Sequence, residues 1–207
     1  MRLVLIRHGE TESNAEGRAQ GRRDVPLNAR GRAQAAALAA VLVEPLAAVV
    51  SSPASRCRET AEAIATAHAH RVRLDGRLVE LDFGELDGLM PVEFAAQAPD
   101  FLARWRVDDP EQLRMPGGET MGEARVRMLA AACALAAEFD GATVAMVSHQ
   151  LALKALLSHA LGAPLAAFRG LQLEPASMSV VEVRLDSPWT VTRLNERCPV
   201  GPTARDR

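Results

Sequence analysis

The sequence is poor in lysine, in cysteine and in aromatic residues. Lys154 is the only lysine among 24 basic residues in a chain of 207, so a tight anion-binding site would have to be built from arginine. The three cysteines, Cys57, Cys133 and Cys198, lie far apart and form no CxxC pair. They predict neither a disulfide framework nor a zinc site, and they are typical of a reducing compartment.

The sequence also lacks a strong net charge and a long hydrophobic run. The formal net charge is -2, which gives no reason to expect nucleic acid or an anionic membrane as a partner. No apolar run is long enough to span a bilayer, and Met1-Arg2 leads into the chain without the pattern of a secretory signal peptide. We therefore expect a cytoplasmic protein, and the length and composition predict one globular domain over residues 1–207.

The first residues carry the clearest pattern. The run Leu3–Ile6 is wholly apolar and stops at Arg7-His8-Gly9, after which the sequence becomes polar. A short run of branched residues that ends at a glycine-containing turn predicts a fully buried strand. In open α/β sheets, ligands bind beyond the carboxyl ends of the strands. Arg7 and His8 are therefore candidate site residues.

Two later apolar runs end in a similar way. Residues 46–50 lead into Ser51-Ser52, and residues 142–147 lead into Ser148-His149. Helical patterns alternate with these runs, which predicts a three-layer α/β/α fold with a mostly parallel sheet. Because the carboxyl ends of parallel strands share one edge, we expect His149 to lie close to the first histidine.

Three other segments complete the predicted architecture. Ser52-Pro53 predicts the start of a helix that runs to about His70 and has Arg56 in its first turn. Two late strand patterns, at 178–184 and 190–194, predict an antiparallel pair at one edge of the sheet. The segment 89–116 alternates prolines with short helical stretches, and we expect it to form a small helical lid.

The residues at the predicted edge are those that phosphoryl transfer without a metal requires. His8 could be a nucleophile, and Arg7 and Arg56 could hold phosphate oxygens bidentately. His149 could be a second cationic or hydrogen-bonding wall, and Glu80 could donate a proton if burial or the bound phosphate keeps it protonated. From spacing alone each residue could also be structural, and a metallohydrolase built on the two histidines and carboxylates is an open alternative.

Six segments resemble, in order, the motifs of the histidine phosphatase superfamily, also called phosphoglycerate mutase-like. Arg7-His8-Gly9 resembles its RHG signature, and the match covers nearly the whole chain. The other matching segments are Gln20-Gly21 with Asp24, Pro26-Leu27 and Gly31; Ser51-Ser52 with Arg56 and Thr60-Ala61; Leu78-Val79-Glu80 with Phe83-Gly84-Glu85; Gly117-Gly118-Glu119-Thr120; and Val147-Ser148-His149.

The resemblance implies a phosphoglycerate mutase-like fold and metal-independent phosphoryl transfer through a phosphohistidine, with no cofactor. It implies that His8 is the nucleophile and that Glu80 is the proton donor. The rest of the implied phosphate pocket is Arg7, Arg56 and His149. The positions that match substrate-binding residues of the family are Asn14, Gln20, Gly21 and, through its backbone, Gln150.

The chain departs from the family pattern at a few positions. Gln150 stands where the family usually has glycine after the second histidine, and it places a side chain at the edge of the pocket. Cys57 replaces the usual alanine. The variant Val147-Ser148-His149-Gln150 is similar to the α-ribazole phosphatase branch.

The predicted lid bears on the type of reaction. A mutase must keep water away from its phosphoenzyme, and the compact lid of this chain favours hydrolysis. We therefore expect a phosphatase that acts on a small phosphorylated metabolite, with phosphoglycerate mutase or a non-catalytic phospholigand-binding protein as alternatives. The chain could be a monomer or a homodimer. The side chains expected to reach the leaving group are Phe94, Phe101, Arg104, Trp105, Arg106 and Met115, of which Arg104 and Arg106 would suit a second anionic group.

Overall fold

Strands and helices alternate through residues 1–198, which are the residues described in this computed structural model. Residues 199–207 of the predicted domain lie outside the described residues. The strands are β1 (Arg2–Arg7), β2 (Ala48–Ser51), β3 (Val72–Leu74), β4 (Thr143–Ser148), β5 (Met178–Glu182) and β6 (Thr190–Glu196). The α-helices are α1 (Glu12–Glu16), α2 (Ala29–Val41), α3 (Ser55–Ala67), α4 (Pro91–Gln97), α5 (Pro99–Val107), α6 (Met121–Glu138) and α7 (Gln150–Ala160).

The strands form one six-stranded sheet in the order β3-β2-β4-β1-β5-β6. β3, β2, β4 and β1 are parallel, whereas β5 and β6 are antiparallel to their neighbours. This confirms the predicted α/β class, with a mostly parallel sheet and an antiparallel edge. Arg7 pairs with Ser148, and Ser51 pairs with Val147. The register therefore ends the three central strands at one level, where the candidate residues follow.

The central strand β1 is covered by helices on both of its faces. Leu3 and Leu5 pack in a cluster with side chains of α6 and α7, whereas Val4 and Ile6 pack in a second cluster with side chains of α2 and α3. Successive side chains of a strand point to opposite faces, and full burial of an aliphatic side chain contributes about 1.5–3 kcal/mol. The unbroken apolar run thus accounts for the three predicted layers.

Helix α3 begins later than the sequence predicts. Its N-cap is Ala54 and its first residue is Ser55, so Ser52 is not the cap and Pro53 is not the first helical residue. The hydroxyl of Ser52 instead accepts a hydrogen bond of 2.8 Å from His149. The helix ends at Ala67, three residues before the predicted end.

The segment 89–116 contains α4 and α5, and aromatic side chains join it to the rest of the protein. The ring of Phe101 lies 6.2 Å from that of Phe94 and 5.8 Å from that of Trp105. Trp105 lies 5.2 Å from Phe168, which belongs to a turn after α7. The guanidinium of Arg169 donates to the carbonyl of Trp105 at 2.7 Å. The aromatic side chains of the two helices therefore take part in packing.

Two of the residues expected at the leaving group, Met115 and Arg104, have partners within the protein. Met115 is only 1% exposed and belongs to an apolar cluster against which Phe94, Phe101 and Trp105 pack; its contact with a leaving group stays a prediction. Arg104 pairs with Asp108, one turn along α5, at 2.8 Å, and its side chain is 63% exposed. Its charge is therefore balanced within its own helix.

Candidate active site

Four candidate side chains are buried together beyond the ends of β1, β2 and β4. Arg7, His8, Arg56 and His149 are 8%, 3%, 1% and 1% exposed, respectively. The two imidazole rings meet edge to face, with centroids 5.2 Å apart. The sheet thus brings together two histidines that are distant in sequence, as their positions after parallel strands predict. With Glu80, described below, these residues are called the His8 cluster.

A hydrogen bond to the backbone sets the tautomer of His8. Its Nδ1 lies 2.7 Å from the carbonyl oxygen of Gly9. Because a carbonyl can only accept, Nδ1 carries the proton, and Nε2 keeps a free lone pair. The same residue, Gly9, donates its N–H to the hydroxyl of Thr60 at 3.1 Å. These contacts hold the imidazole in an orientation suited to a nucleophile.

A close approach of two backbone segments fixes the loop that follows β1. A Cβ atom on Gly9 would lie 2.5 Å from the carbonyl oxygen of Gly31. A Cβ atom on Gly31 would lie 2.1 Å from the carbonyl oxygen of Glu10. Neither glycine can therefore be replaced without moving backbone, which explains why the segment after His8 and the start of α2 both need glycine.

His149 is neutral and has the opposite tautomer. Its Nδ1 accepts from Nε of Arg56 at 3.2 Å, because a guanidinium can only donate. The proton is therefore on Nε2, which donates to the hydroxyl of Ser52 at 2.8 Å. Burial lowers the pKa of His149 well below 6.5, and the charge of Arg56 lowers it further. Of the two predicted roles, a hydrogen-bonding wall fits this ring and a cationic wall does not.

The pKa of His8 is also well below 6.5, first because of burial and then because of the charges of Arg56 and Arg7. Both buried histidines are therefore neutral at neutral pH. This state is required for nucleophilic attack by a ring nitrogen, and it links the stability of the fold to pH.

We expect the free energy of unfolding to fall as the pH drops below 6.5. In the unfolded chain each histidine titrates near 6.5, whereas His8 and His149 have lowered pKa values in the fold. The unfolded chain therefore binds more protons in this range, and each histidine costs about 1.4 kcal/mol of stability per pH unit. Urea unfolding of the wild type and of His8→Asn at about pH 7 and about pH 5 measures this slope. The variant should have the shallower slope, and equal slopes would contradict the assignment.

Arg56 ties three parts of the site together. Besides its bond to His149, it donates through Nη1 to the carbonyl of Arg23 at 2.8 Å and through Nη2 to the carbonyl of Gly21 at 2.7 Å. A guanidinium has five N–H donors, so two donors of Arg56 remain for a ligand. The protein thus fixes the plane of this guanidinium before any anion binds.

Arg7 makes fewer hydrogen bonds within the protein than Arg56 does. Its Nη1 donates to the carbonyl of Leu173 at 2.6 Å, and its buried Nε has no partner among the described residues. Burial lowers the pKa of Arg7 to about 10, against the opposing charges of Glu80 and Glu174. The side chain remains a cation at neutral pH, and a buried cation with a free donor is suited to bind an anion.

The carboxyl group of Glu80 meets the start of α7, the helix that follows His149. It is 4% exposed, and its Oε1 accepts from the N–H groups of Leu81 and Ala152 at 2.8 and 2.9 Å. Its Oε2 accepts from the N–H of Leu151 at 3.1 Å. The first N–H groups of a helix have no acceptor within the helix. Glu80 supplies one, and the helix holds the carboxyl group next to the second histidine.

Arg127 supports the segment that carries Glu80. Its Nη1 donates to the carbonyls of Val79 and Arg77 at 2.6 and 2.7 Å, and its Nε and Nη2 hold both oxygens of Glu119 at 2.8 and 2.9 Å. Sequence reasoning missed Arg127, because an arginine on a helix carries no local sign of what it contacts.

Three of the four predicted substrate-binding residues lie between β1 and α2. The Oε1 of Gln20 accepts from Thr11 at 2.8 Å and from Asn14 at 3.2 Å, whereas its buried Nε2 has no partner among the described residues. Gly21 donates its N–H to Asp87 at 2.8 Å. The fourth residue, Gln150, is partly buried and begins α7.

Cys57 lies directly against the second histidine. Its Sγ is 3.4 Å from Nε2 of His149, and the residue is fully buried. Burial raises the pKa of this thiol far above its usual range. The thiol is therefore protonated and fills space as an apolar group.

Metal-binding groups and membrane-spanning helices were sought among the described residues. No group of three or more His, Cys, Asp or Glu residues within 1–198 could hold a metal ion. Within the same residues, no helix is both long and apolar enough to cross a membrane. A cavity of about 560 Å³ lies between α2 and α3, and another of about 430 Å³ lies beside His159 and Trp189. Neither is lined by the His8 cluster.

Curated relatives match the chain over most of its length. A protein from Escherichia fergusonii named a probable phosphoglycerate mutase is 37% identical over 211 residues, which cover 100% of this chain and 98% of that protein. A bifunctional protein from Mycobacterium tuberculosis is 38% identical over 197 residues, which cover 94% of this chain and 54% of that protein. The chain spans about half the length of the first curated relatives it matches.

Solved structures agree in fold and in family. A mycobacterial glucosyl-3-phosphoglycerate phosphatase complexed with VO3 has a TM-score of 0.84 and 31% identity, over 94% of this chain and 98% of that one. A protein from Escherichia coli described as a candidate alpha-ribazole-5'-P phosphatase has a TM-score of 0.84 and 26% identity, over 98% of this chain and 99% of that one. A family model matches residues 3–197, and the chain belongs to the histidine phosphatase superfamily, branch 1.

Proposed function

We propose that this chain is a metal-independent phosphomonoester hydrolase that acts through a phosphohistidine at His8 on a small phosphorylated metabolite. The observation that carries the proposal is the bond from Nδ1 of His8 to Gly9, which leaves Nε2 unprotonated between two buried arginines. Support also comes from a similar structure at 31% identity that is named a phosphatase.

In the first step, Nε2 of His8 forms a bond to phosphorus while the bond between phosphorus and the alcohol oxygen breaks. The oxygen leaves with the electron pair and takes a proton from Glu80. The free donors of Arg7 and Arg56 hold the non-bridging oxygens, where charge develops. His149 borders the phosphate as a neutral wall and keeps the guanidinium of Arg56 in place.

In the second step, water attacks the phosphohistidine. Glu80, now deprotonated, accepts a proton from the water, the nitrogen–phosphorus bond breaks, and inorganic phosphate forms. The electron pair returns to Nε2 of His8, so both residues end in their starting states. The N–H groups around Glu80 hold the carboxyl group at one position for both proton transfers.

We assign substrate binding to the loops around the cluster. Asn14, Gln20 and Gly21 would line the phosphate, since Nε2 of Gln20 is a buried donor without a partner among the described residues. Gln150 would border the leaving group at the start of α7. The segment 89–116 would act as the lid of a single domain, in a monomer or a homodimer.

Phosphoglycerate mutase is the second candidate function. It is favoured by the relative of 37% identity that is named a probable phosphoglycerate mutase. A mutase would use the same phosphohistidine but return the phosphate to the substrate before water reached it. The non-catalytic alternative would use the cluster for binding only.

Release of phosphate from a panel of phosphomonoesters in excess EDTA tests the proposal, and 3-phosphoglycerate belongs in the panel. We expect release that survives EDTA. Release that EDTA abolishes would support a metallohydrolase instead. An absence of release together with exchange between the phosphoglycerate isomers would establish a mutase, and an absence of both would leave a binding role.

A further inference from the structure

Lys154, the only lysine of the chain, has no evident structural role for its charge. It lies in α7 and is 8% exposed. Within residues 1–198 its ammonium group makes neither a hydrogen bond nor an ion pair. Lysine is rarely buried to this extent without a partner. Its Nζ is not among the fully buried polar atoms that lack a partner, so the stem is buried while the ammonium tip reaches solvent. An anionic ligand can meet the charge there.

Lys154 lies on the helix whose first N–H groups hold Glu80, a member of the His8 cluster. It follows Gln150 by four residues, so the two lie on one face of α7. Helical side chains lean toward the N-terminus of their helix, which here is the end that holds Glu80. The two charges that act on the ammonium group are those of Arg7 and Glu80, both members of the cluster.

A bound phosphate dianion would offset the charges of Arg7 and Arg56. Glu80 must be protonated when it serves as the acid, and it then no longer offsets the charge of Lys154. Glu174, whose charge acts on Arg7, is not among the charges that act on Lys154. The ammonium group of Lys154 is therefore available to pair with a second anionic group.

We propose that Lys154 binds a second anionic group of the substrate, a carboxylate or a second phosphate, and so selects phosphomonoesters that carry one. This inference rests on the proposed function. It moves a role that the sequence suggested for Arg104 and Arg106 to a different residue. Arg104 is paired with Asp108, and Arg106 is exposed, whereas Lys154 is buried on the helix whose first N–H groups hold Glu80.

A matched pair of substrates tests the role of the second anion. Glycerol 3-phosphate and 3-phosphoglycerate are of similar size, but only the latter has a carboxylate. The variant Lys154→Met keeps most of the length of the side chain and removes its charge. We expect KM for 3-phosphoglycerate to rise on the order of tenfold or more, as for the loss of a charged hydrogen bond. The KM for glycerol 3-phosphate should stay within about twofold.

Two controls keep the outcomes apart. Lys154→Arg should retain the preference for 3-phosphoglycerate, and an unchanged KM of Lys154→Met for glycerol 3-phosphate excludes misfolding as the cause of its loss. An equal loss on both substrates, or no loss on either, would overturn the role of Lys154. An aryl phosphate without a second anionic group is assayed alongside, because its hydrolysis tests the proposed function alone. If the wild type hydrolyses this ester and His8→Asn does not, the phosphatase assignment stands even where the role of Lys154 fails.

Discussion

The variant His8→Asn is expected to lose phosphatase activity by roughly ten-thousand-fold or more, because it removes the proposed nucleophile and not merely a binding contact. The amide of asparagine can still donate to Gly9 as Nδ1 does now. It has no ring nitrogen with a free lone pair at the position of Nε2. The loss should therefore appear in kcat, while the fold is kept.

Steady-state release of phosphate measures the loss, and rapid quenching with a radiolabelled substrate detects the intermediate. The wild type should carry label that is lost in acid and kept in base, as expected for a phosphohistidine, and the variant should carry none. The matched control is His159→Asn, at an exposed histidine whose ring packs against Trp189. Labelled protein from His8→Asn would place the phosphoryl group on another residue and refute the mechanism.

The variant Glu80→Gln should lose activity in a way that depends on the leaving group. A poor alcohol leaving group needs a proton as its bond to phosphorus breaks, so we expect kcat to fall by about a hundredfold or more with an alkyl phosphate. A phenolate such as p-nitrophenolate leaves without help, and the loss with its ester should be much smaller. The ratio of the two rates isolates proton donation from general damage to the site.

A glutamine at position 80 also disturbs its surroundings, and the experiment must allow for that. Both carboxyl oxygens accept from backbone N–H groups, so the new amide would face one of these donors. Glu85→Gln, in the same loop and exposed, serves as the matched control. The assignment fails if Glu80→Gln loses no more rate with the alkyl ester than with the phenyl ester.

The architecture could be predicted from the sequence because local pattern and tertiary structure agree there. The run Leu3–Ile6 has no polar residue on either face, and the sheet indeed covers both of its faces with helices. The positions of His8 and His149 after parallel strands were enough to predict that they meet. The parallel topology alone brings the two histidines to one edge of the sheet, so their proximity follows without knowledge of any long-range contact.

Other features could not be predicted because they depend on a distant partner. Ser52-Pro53 has the local signature of a helix start, but the hydroxyl is engaged by His149, 97 residues away, and α3 begins later. The neutral state of His149 follows from burial and from the charge of Arg56, neither of which a local pattern reveals. Met115 packs in an apolar cluster with the aromatic residues of the segment 89–116, a contact that its place in the chain does not reveal.

Two buried donors at the proposed phosphate site, Nε of Arg7 and Nε2 of Gln20, have no partner among the described residues, and they link ligand binding to the stability of the fold. Each unmet buried N–H costs about 1–3 kcal/mol, and a tetrahedral anion bound where we propose would satisfy both. A ligand that binds only the folded state raises the free energy of unfolding, so inorganic phosphate would protect the protein against heat. The same ion is the product of the proposed reaction. Inorganic phosphate would therefore compete with the substrate while it stabilises the fold. The protein would be most stable in the product-bound state, in which it cannot bind substrate.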